Sequence, residues 1–232
     1  LMDDIIEQEA QKRRSELDVL QSQINPHFLY NTLDAIVWLA ESGSTDEVVH
    51  ITRALSDFFR ISLSQGRDWI DVGEELKHLR GYLTIQKVRY RDILDYEIDV
   101  PEEAQEGLIL KLLLQPLVEN AIYHGIKDRR GGGLITVTGR EDGGFLCFCV
   151  QDTGRGMTPD QLRDVRARMR GELPPAYAPY ANAGTGFGLN NVDRRIRLYY
   201  DQEEGLSIES GPEGTRVSFR VPRKTREEIV DG

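Results

Sequence analysis

The stretch LLLQPLVENAIYHG, residues 112–125, does most to decide what this chain folds into. It is apolar with helical spacing, apart from the polar pair Glu119 and Asn120. Neither a helix cap nor a surface position accounts well for this pair, whereas an asparagine oxygen that faces a cleft is a suitable ligand for Mg²⁺ on a nucleotide. We therefore predict a helix over residues 108–124, started or bent at Pro116, with Asn120 facing a nucleotide site.

Two glycine-rich stretches follow this helix and are candidates for backbone contacts with a ligand. The first, DTGRGM, begins with Asp152 at the end of an apolar strand and continues with Gly154 and Gly156. On its own it is equally consistent with a capped turn. The second, GTGFGLNNV at residues 184–192, directly precedes a helix, so that bare amide groups and a positive helix end can converge on phosphate. It matches neither the Walker pattern nor a dinucleotide-binding GxGxxG motif.

The first part of the chain is helical by pattern. Residues 2–40 contain no glycine and carry apolar residues at helical spacing, which predicts a helix about 60 Å long. A helix of this length usually packs against a partner, here in a parallel dimer. Residues 41–45 predict a turn, and the apolar residues from Val48 to Leu63 predict a second helix. We expect residues 1–66 to form an antiparallel helical hairpin that dimerises.

Residues 67–232 are predicted to form a second domain of mixed α/β type, which makes the fold class α+β. Between residues 154 and 188, six glycines and four prolines predict a long mobile loop, a kind of loop that is usually functional. The other predicted elements, in chain order, are a helix at 72–90, a strand at 94–100, a hairpin of strands 134–139 and 145–151 with its turn at 142–144, a helix at 189–200 and a strand pair at 206–210 and 215–221.

Composition narrows the classes of function. Acidic residues outnumber basic ones by 39 to 29, and the net charge of −10 argues against a general nucleic-acid binder. The sequence has no run of about 20 apolar residues and no signal sequence, which indicates a soluble fragment. Cys147 and Cys149 share one strand face, where a disulfide is difficult to form, so we expect reduced thiols in a cytoplasm. Because the chain starts inside a charged helix, we expect it to be part of a longer protein.

Four motifs in order carry a resemblance to a known family. LLLQPLVENAIYHG, DTGRGM, GTGFGLNNV and GTRVSF resemble the N, G1 and G2 boxes and the closing strand of the GHKL (Bergerat) ATP-binding fold of histidine kinases and gyrase-type ATPases. QINPHFLYNTLD, residues 23–34, resembles the phosphoacceptor box of the LytS/YesM-like sensor histidine kinases, and residues 71–90 resemble the segment that follows it there. The resemblance covers nearly the whole chain.

This resemblance implies a dimeric helical hairpin for histidine phosphotransfer, followed by an α/β two-layer sandwich that binds ATP. His27 would be the phosphoacceptor, whose imidazole attacks the γ-phosphate of ATP, and a response-regulator receiver domain would then take the phosphoryl group on an aspartate. Asn31, one turn later, matches a position that orients water for dephosphorylation of that partner. In full-length relatives a transmembrane sensor precedes this part, so we expect a membrane-anchored protein with these residues on the cytoplasmic side.

The resemblance also implies the ATP and Mg²⁺ contacts. Asn120 would hold Mg²⁺, Asp152 would accept the adenine amino group, and Thr215 would complete the adenine side. Gly154 and Gly156 would let the backbone lie against the base. The triphosphate would be lined by the second glycine cluster, namely Gly184, Thr185, Gly186, Phe187, Gly188 and Leu189. The loop between the two glycine clusters, with Tyr177 and Tyr180, would be the ATP lid, and His124, one turn beyond Asn120, would lie near the phosphates.

The chain departs from the histidine kinase pattern at two positions. Phe28 follows His27 where many histidine kinases carry an acidic residue, so the general base is unassigned, and we expect Glu119 or a water to serve. Tyr123 stands where N boxes commonly carry lysine, and Lys127 is the candidate for the missing charge.

Two alternatives to a histidine kinase remain. The first is a GHKL ATPase clamp. Gyrase-type ATPases activate water with a glutamate four residues before the asparagine, and here that position is Pro116, which argues against hydrolysis. The second is a non-catalytic scaffold that binds ATP as a dimer and signals by shape, an option that Phe28 and Tyr123 keep open.

Overall fold

A computed structural model describes residues 26–62, 68–127, 129–173, 187–226 and 228. Of the predicted helix over residues 2–40, residues 2–25 lie outside these residues, as do residues 174–183 of the predicted lid. The elements are α1 (Pro26–Glu41), α2 (Thr45–Ser62), β1 (Trp69–Asp71), α3 (Val72–Arg89), β2 (Leu94–Asp99), α4 (Glu102–Gln105), β3 (Leu108–Leu110), α5 (Leu114–Asn120), a π-helical continuation (Ala121–Ile126), β4 (Gly133–Asp142), β5 (Phe145–Asp152), α6 (Pro159–Met169), α7 (Phe187–Tyr200), β6 (Ser207–Gly211) and β7 (Gly214–Pro222).

The predicted helical hairpin is present in α1 and α2. Its turn is made by Gly43 in a left-handed conformation, with φ of +76°, and by a hydrogen bond from the Ser44 N–H to the Leu39 carbonyl at 2.9 Å. Leu39 from α1 and Ile51 from α2 are fully buried. The periodic apolar residues therefore pack α1 against α2, and they also pack the hairpin against the rest of the molecule.

The second part of the chain is a five-stranded sheet in the order β2-β4-β5-β7-β6, with β2 parallel to β4 and all other pairs antiparallel. Helices α3, α5 and α7 contact one face of it, which confirms the two-layer α/β sandwich. Alternate strand residues point to this inner face because the side-chain period of a strand is two. The inner face includes Ile135, Val137, Leu146, Phe148, Val150, Val217, Phe219 and Val221. Cys147 and Cys149 are free thiols on the opposite face.

The prediction of a continuous helix over residues 108–124 is wrong at its beginning. Leu108–Leu110 is a buried strand that pairs antiparallel with β1, and the helix starts only at Leu114. Leu112, with φ of +59°, separates the two elements. A short run of apolar residues fits a buried strand and a buried helix equally well, and the pairing with β1 decides between them.

The prediction of a long mobile loop over residues 154–188 is also wrong in part, because α6 lies within it. Thr158 and Gln161 form a capping box, in which each side chain bonds the other residue's backbone N–H, and Pro159 occupies the first helical position. Gly171, with φ of +74°, follows the end of the helix. The short elements β1 and α4 were not predicted.

The hairpin packs against α3 of the sandwich. The Ser62 hydroxyl lies 2.8 Å from Nε2 of the fully buried His78, and burial lowers the pKa of His78 to about 4, so the imidazole is neutral. Phe28 stacks on Tyr82, with ring centres 5.2 Å apart. One cluster of buried apolar side chains thus runs across the predicted boundary between residues 66 and 67. Among the described helices, none combines the length and the apolar character that a bilayer-spanning segment requires.

Candidate active site

A cavity of about 320 Å³ opens where the end of β5 meets the π-helical segment, α6 and the start of α7. This is large enough for most of a nucleotide. Six of the predicted site residues line it: Asn120, His124, Asp152, Gly156, Leu189 and Thr215. The structure therefore brings the N box, the G1 box, the closing strand and the start of α7 to one place.

Asp152 is a buried carboxylate at this cavity. It is the last residue of β5 and lies on the inner face of the sheet, so that only 3% of it is exposed. Its Oδ1 accepts a hydrogen bond from the Gly154 N–H at 2.7 Å, and Thr215 is its partner across the β5–β7 ladder. Burial raises the pKa of Asp152 from 3.8 to about 6, although the backbone hydrogen bonds of Gly154 and Thr215 oppose the rise. At neutral pH it is an ionised acceptor with little solvent around it, which suits an amino group of a ligand.

Glycines make room for this carboxylate. A Cβ at Gly125 would lie 2.5 Å from Oδ1 of Asp152, and a Cβ at Gly154 would collide with the Gly125 backbone. Gly156 has φ of +62°, and a Cβ there would collide with the carbonyl of Gly211. Gly125 was missed as a site residue, because only the tertiary approach of the π-helical segment to β5 shows why it must be glycine.

Asn120 lies at the junction of α5 and the π-helical turn, and it faces the cavity. Interruptions of this kind are frequent at functional sites. The start of α5 is fixed by the fully buried Glu75, whose carboxylate accepts hydrogen bonds from the backbone N–H groups of Leu112 and Leu114 at 2.8 and 2.9 Å. Burial raises the pKa of Glu75, and the charge of Arg195 opposes this. Glu75 was not predicted to support the site.

The donor set suits Mg²⁺ carried by a nucleotide. No group of three or more metal-binding side chains occurs among the residues that the structure describes. Asn120 would thus supply one amide oxygen, while phosphate oxygens and water complete the shell, which is how Mg²⁺ commonly binds with nucleotides.

Glu119 points elsewhere, although it is the neighbour of Asn120. Its carboxylate accepts a hydrogen bond from Gln115 at 2.8 Å and another from the Tyr82 hydroxyl on α3. Burial raises the pKa of Glu119. Glu119 is not among the cavity-lining residues, so its role as a general base stays a prediction.

His27 lies on the exposed side of α1, with Phe28 buried on the other side against Phe58 and Tyr82. Nδ2 of Asn31 is 3.1 Å from Nδ1 of His27. Neither His27 nor Asn31 lines the cavity. The structure thus describes a phosphoacceptor candidate and a ligand cavity that are separate from each other.

The cavity contains two cations that the sequence analysis missed. The first is Arg155, whose guanidinium is held in place by a hydrogen bond from its Nε to the His124 carbonyl at 2.9 Å. Arg168, on α6, is half-buried, and its guanidinium has no hydrogen bond or ion pair with the described residues. The predicted cation, Lys127, is exposed and lies outside the lining, with its ammonium 5.9 Å from the centre of the Tyr123 ring.

The predicted phosphate site is described only from Phe187 onward. Gly184, Thr185 and Gly186 lie outside the described residues, as do Tyr177 and Tyr180. Phe187 is the first residue of α7. Gly188 lies beside Pro116 of α5, where a Cβ would be 3.6 Å from the proline Cβ, and Leu189 is buried at the cavity wall.

Comparisons with known proteins identify the family of the chain. The family model described as histidine kinase matches residues 15–94, and the one described as histidine kinase-, DNA gyrase B-, and HSP90-like ATPase matches residues 105–225. Sensor histidine kinase YesM of Bacillus subtilis is 34% identical over 231 residues, which are 99% of this chain and 37% of the relative. Sensor histidine kinase YpdA of Escherichia coli is 36% identical over 214 residues, which are 91% and 35% of the two chains.

Sensor protein LytS of Streptococcus agalactiae is 32% identical over 225 residues, covering 96% of this chain and 36% of the relative. The chain thus spans about a third of the length of these relatives. The histidine kinase domain of the blue-light activated kinase EL346 from Erythrobacter litoralis matches in fold, with a TM-score of 0.50, 16% identity and coverage of 97% of this chain and 98% of that one. The chain therefore belongs to the histidine kinase-, DNA gyrase B- and HSP90-like ATPase family and, within it, to the sensor histidine kinases that resemble YesM and LytS.

Proposed function

We propose that this chain is the kinase region of a two-component sensor. It binds Mg²⁺-ATP, transfers the γ-phosphoryl group to His27 and passes it to an aspartate of a response-regulator receiver domain. The observation that carries the proposal is the cavity that joins a buried carboxylate, Asp152, to an amide, Asn120, in a chain that also exposes His27.

The adenine end of ATP belongs at Asp152. An ionised, poorly solvated carboxylate binds an exocyclic amino group strongly, because the bond is charge-assisted and water does not compete well. The neighbouring Thr215 hydroxyl lies 2.8 Å from the Ser210 hydroxyl, which holds it at the cavity wall. This arrangement favours adenine over guanine, because guanine has a carbonyl oxygen in place of that amino group.

The phosphate end belongs at Asn120 and the start of α7. Bound Mg²⁺ would neutralise the charge that develops on the leaving phosphate oxygen. Because Tyr123 cannot supply a positive charge, we assign that task to Arg168, whose guanidinium has no other partner in the described part of the chain. The N–H groups at the start of α7 add a positive helix end.

Transfer forms a bond between a nitrogen of His27 and the γ-phosphorus, and it breaks the bond to the bridging oxygen, which leaves with ADP. Since His27 does not line the cavity, α1 must move relative to the sandwich, or transfer must cross between two subunits. The exposed apolar residues of α1 support a homodimer, because a patch of this kind usually marks an interface. They are Tyr30, Leu33, Val37 and Trp38.

We also propose that the whole protein is anchored in the membrane through an N-terminal sensor region, with this kinase region in the cytoplasm. The descriptions of YesM and YpdA as sensor kinases support this. The relatives are about three times as long as the matched region, which leaves room for such a sensor.

The test is incubation with γ-labelled ATP and Mg²⁺, comparing the wild type with His27→Gln. His50→Gln is the matched control, because His50 is also exposed on the helical hairpin. We expect alkali-stable, acid-labile label that is lost only in His27→Gln. Equal label in both variants would refute His27 as the acceptor, and tight Mg²⁺-ATP binding without any label would support the scaffold instead.

A further inference from the structure

The contact between Asn31 and His27 is held by a rigid stretch of helix. Phe28 and Thr32, the residues that follow each of them, are both buried, and the Thr32 hydroxyl donates to the Phe28 carbonyl at 2.7 Å. Phe28 is further fixed between the rings of Phe58 and Tyr82. These buried contacts fix the backbone of the turn that carries His27 and Asn31 on its exposed side. The 3.1 Å separation between Asn31 Nδ2 and His27 Nδ1 is therefore set by the packing of α1.

This contact couples the orientation of the amide to the tautomer of the imidazole. A neutral imidazole carries one N–H, so that one ring nitrogen donates and the other accepts. With Nδ2 of Asn31 toward the ring, Nδ1 accepts and Nε2 carries the proton. Rotation of the amide by 180° brings Oδ1 to the same place, where it accepts the Nδ1 proton and leaves the lone pair on Nε2.

We propose that Asn31 is a positioning residue for phosphoryl transfer, which accepts the Nδ1 proton of His27 so that Nε2 attacks the γ-phosphate. The proposal rests on the proposed function of His27 as acceptor. An acidic residue directly after the histidine could accept the imidazole proton, but here that residue is Phe28, which is buried against Tyr82. We assign the same contact to the amide of Asn31, one helical turn after His27.

The atoms balance without a dedicated base. The Nε2 lone pair forms the N–P bond, and the bond between phosphorus and the bridging oxygen breaks, with its electrons leaving on ADP. The ring is then a cation whose Nδ1 proton faces Oδ1 of Asn31. An amide does not take up this proton, which passes to solvent because His27 is exposed. Nδ1 then holds a lone pair, and the amide turns to donate Nδ2 to it, which is the orientation in the structure.

An amide suits both states of the histidine, because it can accept before transfer and donate after it, whereas a carboxylate only accepts. Glu119, the predicted base, is turned toward Gln115 and Tyr82 and is not required for this step.

The test measures the tautomer of His27 directly, by ¹⁵N NMR of histidine-labelled protein at about pH 8, where an ordinary imidazole is neutral. We expect the fraction protonated at Nδ1 to fall at least twofold in Asn31→Ala and to stay unchanged in Asp34→Ala, an exposed position on the same helix. Equal Nδ1 protonation in the wild type and in Asn31→Ala would overturn the proposal.

Kinetics provide a second readout. We expect Asn31→Ala to autophosphorylate about tenfold more slowly with an unchanged KM for ATP, because Asn31 does not line the cavity. Asn31→Asp should restore most of the rate and move its pH dependence to higher pH, because a carboxylate favours the charged imidazole. A wild-type rate for Asn31→Ala, or no rescue by Asn31→Asp, would count against the proposal. Label that persists in His27→Gln would instead refute the proposed function and with it a role of Asn31 in transfer, whereas the tautomer measurement would still show whether Asn31 sets the position of the Nδ1 proton.

Discussion

Replacement of Asp152 by asparagine should stabilise the fold and weaken ATP binding at the same time. The pKa of Asp152 rises from 3.8 to about 6 because the carboxylate is buried. This corresponds to about 3 kcal/mol by which folding disfavours the ionised form at neutral pH. Asparagine avoids this cost and keeps an oxygen for the Gly154 N–H, but it loses one acceptor, at about 1 kcal/mol. A net gain of about 1–2 kcal/mol raises the Tm by about 3–6 °C.

The pH dependence of the free energy of unfolding tests whether Asp152→Asn stabilises the fold by removing a buried charge. A carboxyl whose pKa is higher in the folded state stabilises the fold below its unfolded pKa of 3.8, and this contribution is lost as the pH rises through about 6. The advantage of Asp152→Asn over the wild type should therefore be full at pH 7 and should disappear toward pH 4. Denaturant unfolding over this pH range measures it. A destabilised Asp152→Asn, or a pH-independent difference, would refute the assignment of a desolvated carboxylate.

The nucleotide arm of the same experiment uses calorimetric titration with Mg²⁺-ATP. Loss of a charge-assisted hydrogen bond costs about 1.5–3 kcal/mol, so the affinity of Asp152→Asn should fall at least tenfold. Wild-type affinity should also fall as the pH drops through about 6, while that of Asp152→Asn should lack this component. Wild-type affinity in the variant would remove Asp152 from the adenine site.

Two further predictions concern the cation and the apolar surface. Arg168→Ala should weaken Mg²⁺-ATP binding about tenfold or more. It should not lower the Tm, because the guanidinium has no partner in the described part of the chain. The control Arg163→Ala, which removes an exposed partner of Asp160, should change neither the affinity nor the Tm. Similar affinities for the two variants in the same titration would contradict the assignment. Trp38→Glu should shift the dimer to monomer in sedimentation or light scattering, because Trp38 is 60% exposed on α1, while Tyr199→Glu on α7 should leave the dimer intact. Dissociation by both variants would show that the α1 face is not the specific interface.

The sequence selects some residues of the cavity but not those that support it. Asp152, Asn120 and Thr215 line the cavity, and residue type and order are enough to select them. Their roles toward a nucleotide stay predictions. Arg168 is missed because glycine and proline dominate the composition around α6, while the helix itself depends on the Thr158 capping box and on packing against β6. Arg168 is thus missed because tertiary packing, and not local sequence, places it in the cavity wall, which is formed by residues that are far apart along the chain.

Helix α3 shows most clearly what sequence reasoning leaves out, because residues 71–90 were noted only for their helical pattern and their resemblance, whereas the helix contacts both α1 and α5. At its start, Glu75 fixes the helix that ends in Asn120, and at its middle, Tyr82 contacts both Phe28 beside His27 and Glu119 beside Asn120. A displacement of α1 therefore has to break or slide the Phe28–Tyr82 contact on the helix that also positions the candidate nucleotide site. Because packed aromatic contacts favour discrete arrangements over gradual ones, we expect movement of α1 to change the geometry of this candidate site through α3.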